Sequence, residues 1–340
     1  RDAQESRGLG DVYKRQMGGD LAPDEIVKGA VHAQQELGAE IVLVGQRAAI
    51  EACLRNEQAR LEIIDASEVI TMDDDPSTAT RRKKDASMTV ALNMLRDGKG
   101  DAVVSAGSTG ALLTGATLIV KRIKGVKRPA IGTVVPCKDG CFMMLDSGAN
   151  HDCRPEMLRQ FGLMGSVYMK RILGVPNPRV GLVNIGVEET KGTELQVEAY
   201  GLMKEAGYNF IGNVEAREVP LGGCDVAVCD GFTGNIILKT TEGLAKLFMS
   251  EIKGIFMKSL PNKLAAAVVK KDLGAFKKKF DSAEYGGALL LGTKKPVIKA
   301  HGSSDAKAFY NAIRQAISCC ENNIIGEMES QLAVETAEAE

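Results

Sequence analysis

The chain has 340 residues, 44% of them hydrophobic and 26% charged, with a formal net charge of -1. That length holds one large α/β domain or two ordinary ones with a sizeable core, and the near-zero charge leaves no global field to draw in nucleic acid. Aromatics make up 4% and Trp is absent, which argues against base-stacking platforms.

The eight cysteines form no CxxC pair and follow no signal peptide, so they read as reduced, mostly buried thiols. No apolar run reaches the ~18 residues of a membrane span. The chain therefore reads as cytoplasmic.

Residues 1–16 are polar and aperiodic and meet Met17-Gly18-Gly19-Asp20 abruptly. They read as a leader foreign to a single domain over 17–330, and 331–340 as a frayed acidic tail. From residue 24 the pattern alternates. Helical spacing covers 24–37, 47–55, Ala86–Leu95, Ala111–Lys121, 155–173, 191–206 and 233–260. Short apolar runs mark strands at Ile41–Val44, Leu61–Ile64, Ala102–Ser105, Ile131–Val135, Cys141–Leu145, Val180–Asn184 and Val226–Cys229. The turn Lys138-Asp139-Gly140 makes the fourth and fifth of these one hairpin gap. Strands alternating with helices predict a mainly parallel sheet covered on both faces. Ligands then bind beyond the carboxyl ends of the strands.

Several strands end in glycine-bearing polar loops. Ser105-Ala-Gly107-Ser108-Thr109-Gly110 precedes a helix, where free N–H groups suit an anion. A plain N-capped turn suits the same residues. Gly186 and Lys191 follow Asn184, and a lysine at a helix start opposes the macrodipole unless it faces a bound anion. A solvated surface lysine is the alternative. Asp230-Gly-Phe-Thr-Gly-Asn235 offers two polar side chains to orient a substrate, or ordinary turn chemistry. His301, Ser303 and Ser304 suit a nucleophile pair or a phosphate-binding turn. Asp146, His151 and Asp152 match no metal-ligand spacing, and no metal is expected.

Apolar residues follow helical spacing from Leu244 to Leu260, where a core helix with a solvated back fits residues 244–256, until Pro261 breaks it. Across 244–280 nine lysines face two acids. Ile255, Phe256, Leu260, Leu264, Val268 and Val269, flanked by Lys270 and Lys271, suit an anionic membrane surface or an acidic partner.

Together, MGGDLAPDEIVKGA, SAGSTGALLTGA, LDSGANHDCRPEMLRQFGLMG, PRVGLVNIGVEETKGTEL, CDGFTGNIILKTTEGLA and YGGALLLGTKKPVIKAHGSS resemble the PlsX family of phosphate acyltransferases, in order and from Met17 to about residue 317. The resemblance implies a three-layer α/β/α fold like that of phosphotransacetylases and isocitrate/isopropylmalate dehydrogenases, with a protruding helical segment. It implies a homodimer without cofactor that moves a fatty acyl group from acyl carrier protein to inorganic phosphate. The product feeds a PlsY-type membrane acyltransferase of phospholipid synthesis, at the inner face of the membrane. The family's active-site lysine and its Asp and Asn fall on Lys191, Asp230 and Asn235, and its lipid-directed protrusion falls on 255–280.

Three departures stand out. No strand-like run precedes Met17, so the family's first strand and its aspartate read as missing. Ser108 stands where Asn is common, and Leu289 where Pro is common. The expected mechanism has Lys191 and the Ser105–Gly110 loop holding phosphate, with Asp230 and Asn235 positioning the reactants. A phosphotransacetylase using a CoA thioester and a non-catalytic membrane scaffold are the rival readings.

Overall fold

The structure, a computed structural model, describes residues 3–7, 23–279 and 282–338. The Met17–Asp20 motif lies outside the described residues, as do residues 8–16 of the leader and the last two of the tail.

Among the described residues eleven strands form one sheet. They are β1 (Ala3–Arg7), β2 (Glu40–Gly45), β3 (Glu62–Asp65), β4 (Ala102–Ser105), β5 (Ala130–Cys137), β6 (Gly140–Leu145), β7 (Val180–Asn184), β8 (Phe210–Glu215), β9 (Val226–Val228), β10 (Ala288–Leu291) and β11 (Val297–Lys299). Their order is β3-β2-β1-β4-β11-β10-β5-β6-β9-β7-β8. Parallel pairs join β2 to β3, β4 to β11, and β6, β9, β7 and β8 in series. The β5–β6 hairpin and β10 are antiparallel. Two blocks of strands therefore point opposite ways.

Four strands are absent from the sequence reading, β1, β8, β10 and β11, and β1 fills the place of the first strand read as missing. It pairs antiparallel with both β2 and β4. Strands flanking a gap present unpaired N–H and C=O groups, and an extended backbone satisfies them whatever its side chains.

The helices are α1 (Asp24–Leu37), α2 (Arg47–Asn56), α3 (Ala79–Arg82), α4 (Ser87–Arg96), α5 (Thr109–Gly115), α6 (Pro155–Arg171), α7 (Glu194–Lys204), α8 (Gly231–Met257), α9 (Leu260–Val268), α10 (Lys270–Lys279), α11 (Ala306–Glu321) and α12 (Ile324–Glu338). α12 carries helix through residues expected to fray. Successive strand residues face opposite sides, which divides the core. Val104, Met143, Leu182 and Ile298 pack under α1, α2, α6, α7, α11 and α12. The other face splits in two. Val103, Ile131, Leu290 and Val297 lie under α4 and α5. Val135, Phe142, Met144 and Ala227 lie under Ile237 and Leu238 of α8. The result is the expected three-layer α/β/α fold.

Of the eight cysteines, five are buried and three half-buried. The core-helix reading of 244–256 does not hold. Along α8 only Gly231 and Gly234 are buried, while Leu244, Leu247, Phe248 and Ile255 stand exposed. Its first turns rest on the sheet through Ile237 and Leu238, and no residue of 244–257 is buried. Ser259 caps α9 by accepting the Asn262 N–H, and Pro261 sits in its first turn, which explains the break at that point.

Candidate active site

The polar loops gather at the carboxyl ends of two strand blocks that run in opposite directions. At one end β4 and β11 lie side by side, and Ala300 N–H donates to Ser105 O at 2.9 Å. Ser105, Gly107, Ser108, Thr109 and Gly110 thus sit beside His301, Ser303 and Ser304. Ser105 Oγ accepts the Gly107 N–H at 3.1 Å, and Ser108 is buried at the head of α5. His301 Nδ1 accepts the Ser303 N–H at 3.2 Å, with the Ser303 hydroxyl 2.7 Å away. Partial burial, then the ammonium groups of Lys299 and Lys239, hold this imidazole below its ordinary range, with Glu242 opposing.

At the other end, β6, β9 and β7 deliver Asp146, Asp230 and the loop to Lys191 side by side. Lys191 is exposed, and its chain packs over Gly186. It does not open a helix, as the sequence reading had it. α7 begins at Glu194, behind a capping box of Thr193 and Gln196. The loop is fixed instead by Asn184, whose Nδ2 donates to Lys191 O at 2.9 Å, and by Asn213 Nδ2, which donates to Glu188 O at 2.8 Å. Asp230 caps α8. Its carboxylate accepts the Thr233 N–H at 2.9 Å and the Thr233 hydroxyl at 2.7 Å. Lys191, Asp230 and Asn235 thus follow two neighbouring strands, β7 and β9. The Ser105–Gly110 loop follows β4, which lies six strands from β7 and runs the opposite way.

α8 joins the two ends. Its 27 residues span ~40 Å at 1.5 Å per residue. It starts at Asp230 and carries Lys239, Glu242 and Lys246 past His301. Between α5 and α8 one polar side chain of β5, Thr133, interrupts the apolar face. On β5, Ile131 belongs to one apolar cluster and Val135 to the other. Thr133 stands between them on the same face. Its Oγ1 lies 2.7 Å from Ser147 Oγ, and Ser147 also donates to Ile131 O at 2.8 Å. Gly148 follows, within 3.8 Å of Asn235 measured from where a Cβ would stand. The ladder places Ser105, Lys299, Ala288 and Thr133 on one rung. That sets Ser105 about 14 Å from Thr133 at the usual strand spacing.

The seam is thus a polar floor between apolar walls, with hydroxyls, amides and lysines at its rims. Thr133, Ser147 and Gly148 were missed as site residues. The available signal was a lone Thr at an inward position of an otherwise apolar strand. A separate hollow of about 450 Å³, edged by Asp101, Lys294, Glu321 and Glu329, shares none of these residues. Among the described residues no group of three or more His, Cys, Asp or Glu is arranged around a metal.

Residues 15–327 match the family described as "Fatty acid synthesis protein". A phosphate acyltransferase of Clostridium acetobutylicum is 50% identical over 321 residues, covering 93% of this chain and 97% of that protein. Among solved structures, a phosphotransacetylase from Streptococcus pyogenes superimposes with a TM-score of 0.57 at 16% identity, covering 91% of this chain and 94% of that one. A putative 4-hydroxythreonine-4-phosphate dehydrogenase from Salmonella typhimurium gives 0.50 at 13% identity, covering 90% and 98%. These two likenesses establish the fold that the three share.

Proposed function

The chain belongs to the fatty acid synthesis protein family, the PlsX-type phosphate acyltransferases, and from that premise we propose that it moves a long-chain fatty acyl group from acyl carrier protein to inorganic phosphate. It is an acyltransferase. The proposal concerns its donor, its partners and the part each residue takes.

The observation that carries the reading is the seam between α5 and α8, apolar along its walls and polar along its floor. Apolar walls suit a fatty chain, and a floor of hydroxyls suits the thioester and phosphate oxygens. A thioester is already activated, and phosphate dianion is a fair nucleophile at neutral pH. A phosphate oxygen attacks the carbonyl carbon, a tetrahedral oxyanion forms, and the C–S bond breaks to release the carrier's thiolate. Holding the two reactants together supplies much of the rate, and N–H or hydroxyl donors near the oxyanion supply more. Lys191 and Asn235 hold phosphate at one end of the seam. Asp230 sets the first turn of α8, and so the place of Asn235. Ser105, Gly107, Ser108, Thr109, Gly110, Gly186, His301, Ser303 and Ser304 line the approaches.

No helix among the described residues is long and apolar enough to cross a membrane. A peripheral contact with the inner membrane face is proposed for the protrusion, where Leu260, Leu264 and Val268 are exposed between lysines, Val268 at 84%. Lysines on α8–α10 suit acidic carrier protein equally well. Exposed Ile185, Val187, Ile211 and Phe232 offer a second copy of the chain an apolar face for the proposed homodimer. Delivery of the product to a PlsY-type membrane acyltransferase completes the proposal.

The fold shared with a phosphotransacetylase favours one rival, transfer from a CoA thioester. Purified protein is incubated with phosphate and either palmitoyl carrier protein, palmitoyl-CoA or acetyl-CoA, and acyl phosphate is followed by mass spectrometry. Product from the carrier protein alone supports the proposal. Acetyl phosphate from acetyl-CoA supports the rival, and no product from any donor leaves the scaffold reading.

A further inference from the structure

One buried charge has no part in the reading above. Asp146 leaves β6 with no exposed surface. Its Oδ1 accepts N–H groups from Ile131 at 3.0 Å, Gly148 at 3.1 Å and Ala149 at 3.0 Å. Its Oδ2 accepts the Asn150 N–H at 2.6 Å and the Asn150 side-chain amide at 2.9 Å. Burial pushes the carboxyl above its usual range, with the N–H donors opposing.

A turn alone does not need a buried carboxylate, whose desolvation costs several kcal/mol. What the charge adds is a rigid loop with three outputs, all toward the seam. Ser147 is set against Thr133. Gly148 is set beneath Asn235. Asn150 O accepts the Gly231 N–H at 2.7 Å, and the Asp146 carbonyl is the surface on which Gly234 rests. The first turn of α8 is therefore seated on the loop that Asp146 organises.

We infer that Asp146 is a positioning residue for the transfer reaction, holding Asn235 at a fixed height over the Thr133–Ser147 floor. The inference rests on the seam being where transfer occurs. Asp146→Asn keeps the volume. Whichever oxygen is replaced, the new NH2 faces at least two N–H donors.

The test compares the full chain and Asp146→Asn in acyl phosphate formation from palmitoyl carrier protein, with kcat, both KM values and thermal unfolding measured. A misplacement of this kind is expected to lower kcat/KM for phosphate about 100-fold. KM for the acyl donor should stay within about twofold. A purely structural role would lower the active fraction and leave both KM values unmoved. A folded Asp146→Asn with the wild-type KM for phosphate overturns the inference. If that variant does not fold, Asn150→Ala, which keeps the carboxylate and loses one donor, must raise the same KM by less. An unchanged value there overturns the inference too. A wild-type chain that makes no acyl phosphate removes the functional reading, and the inference with it. A working wild type with unmoved variants removes the inference alone.

Discussion

Gly234→Ala tests the seating of α8 on the Asp146 loop. A Cβ at this position would stand 1.9 Å from the Asp146 carbonyl oxygen and 2.9 Å from Cys229 Sγ. Real Cβ contacts do not fall below 3.0 Å, so helix and loop must part by about 1 Å. The obstacle is backbone in a closely bonded loop and cannot swing away. Overpacking of this sort costs about 1–3 kcal/mol, against which the helix gains about 1 kcal/mol from replacing glycine by alanine. The net loss is up to about 2 kcal/mol, or up to ~3 °C in Tm for a chain of this size. Turnover should fall further, by about 100-fold, because Asn235 is displaced. Gly243→Ala is the matched control. It lies in the same helix, exposed, with no heavy atom within 4 Å of its Cβ. It should gain up to about 1 kcal/mol and keep full activity. Differential scanning calorimetry with an acyl phosphate assay reads both variants. Equal Tm values and equal turnover in the two would refute the seating.

Other outcomes follow from the rims of the seam. His301 has a folded pKa below its ordinary value, so the unfolded chain takes up its proton first as the pH falls. Its contribution to stability is complete above the unfolded pKa and is lost as the pH falls through the folded one. Urea unfolding of His301→Asn across pH 5 to 8 should show a flatter slope than wild type (about the range in which His titrates), and an identical slope would count against this. Lys191→Ala should raise KM for phosphate about tenfold or more, as loss of a charged hydrogen bond does, and near-normal turnover at low phosphate would remove Lys191 from the site. Replacing Leu264 and Val268 by Ser should abolish flotation with anionic vesicles while leaving carrier-dependent turnover in solution intact. Vesicle binding that survives would end the insertion idea.

Strands whose side chains do the packing were legible in the sequence. Ile41–Val44, Ala102–Ser105, Val180–Asn184 and the hairpin about Asp139-Gly140 carry the β-branched runs and turn that a central sheet requires. Of the strands that were missed, β11 is only three residues long, Val-Ile-Lys, and the others carry a weaker signal. β8 is an edge strand whose ladder shifts register against β7 between Val180 and Leu182. β10 reads Ala-Leu-Leu-Leu, as good a helix as a strand. β1 is one alanine followed by four polar residues and is placed by the backbone groups of its neighbours. For the site, the glycine-rich strand ends were visible as motifs, but strand direction was not. The sequence alone therefore does not show that Ser108 and Lys191 follow strands that run in opposite directions. Asp146 read as one acid in a polar loop, because five donors converging on it come from tertiary structure that no spacing encodes.

The division of one sheet face by Thr133 has a thermodynamic consequence. Leu92 and Leu112 belong to one apolar cluster, Phe142 and Val219 to the other, and the two clusters have no residue in common. Cavities opened on either side of the seam share no partners, so their free-energy costs should add, within about 0.5 kcal/mol. Each wall can then drift in sequence, or be redesigned for a longer or shorter chain, without renegotiating the other. The strand beneath them is the one element that must answer to both.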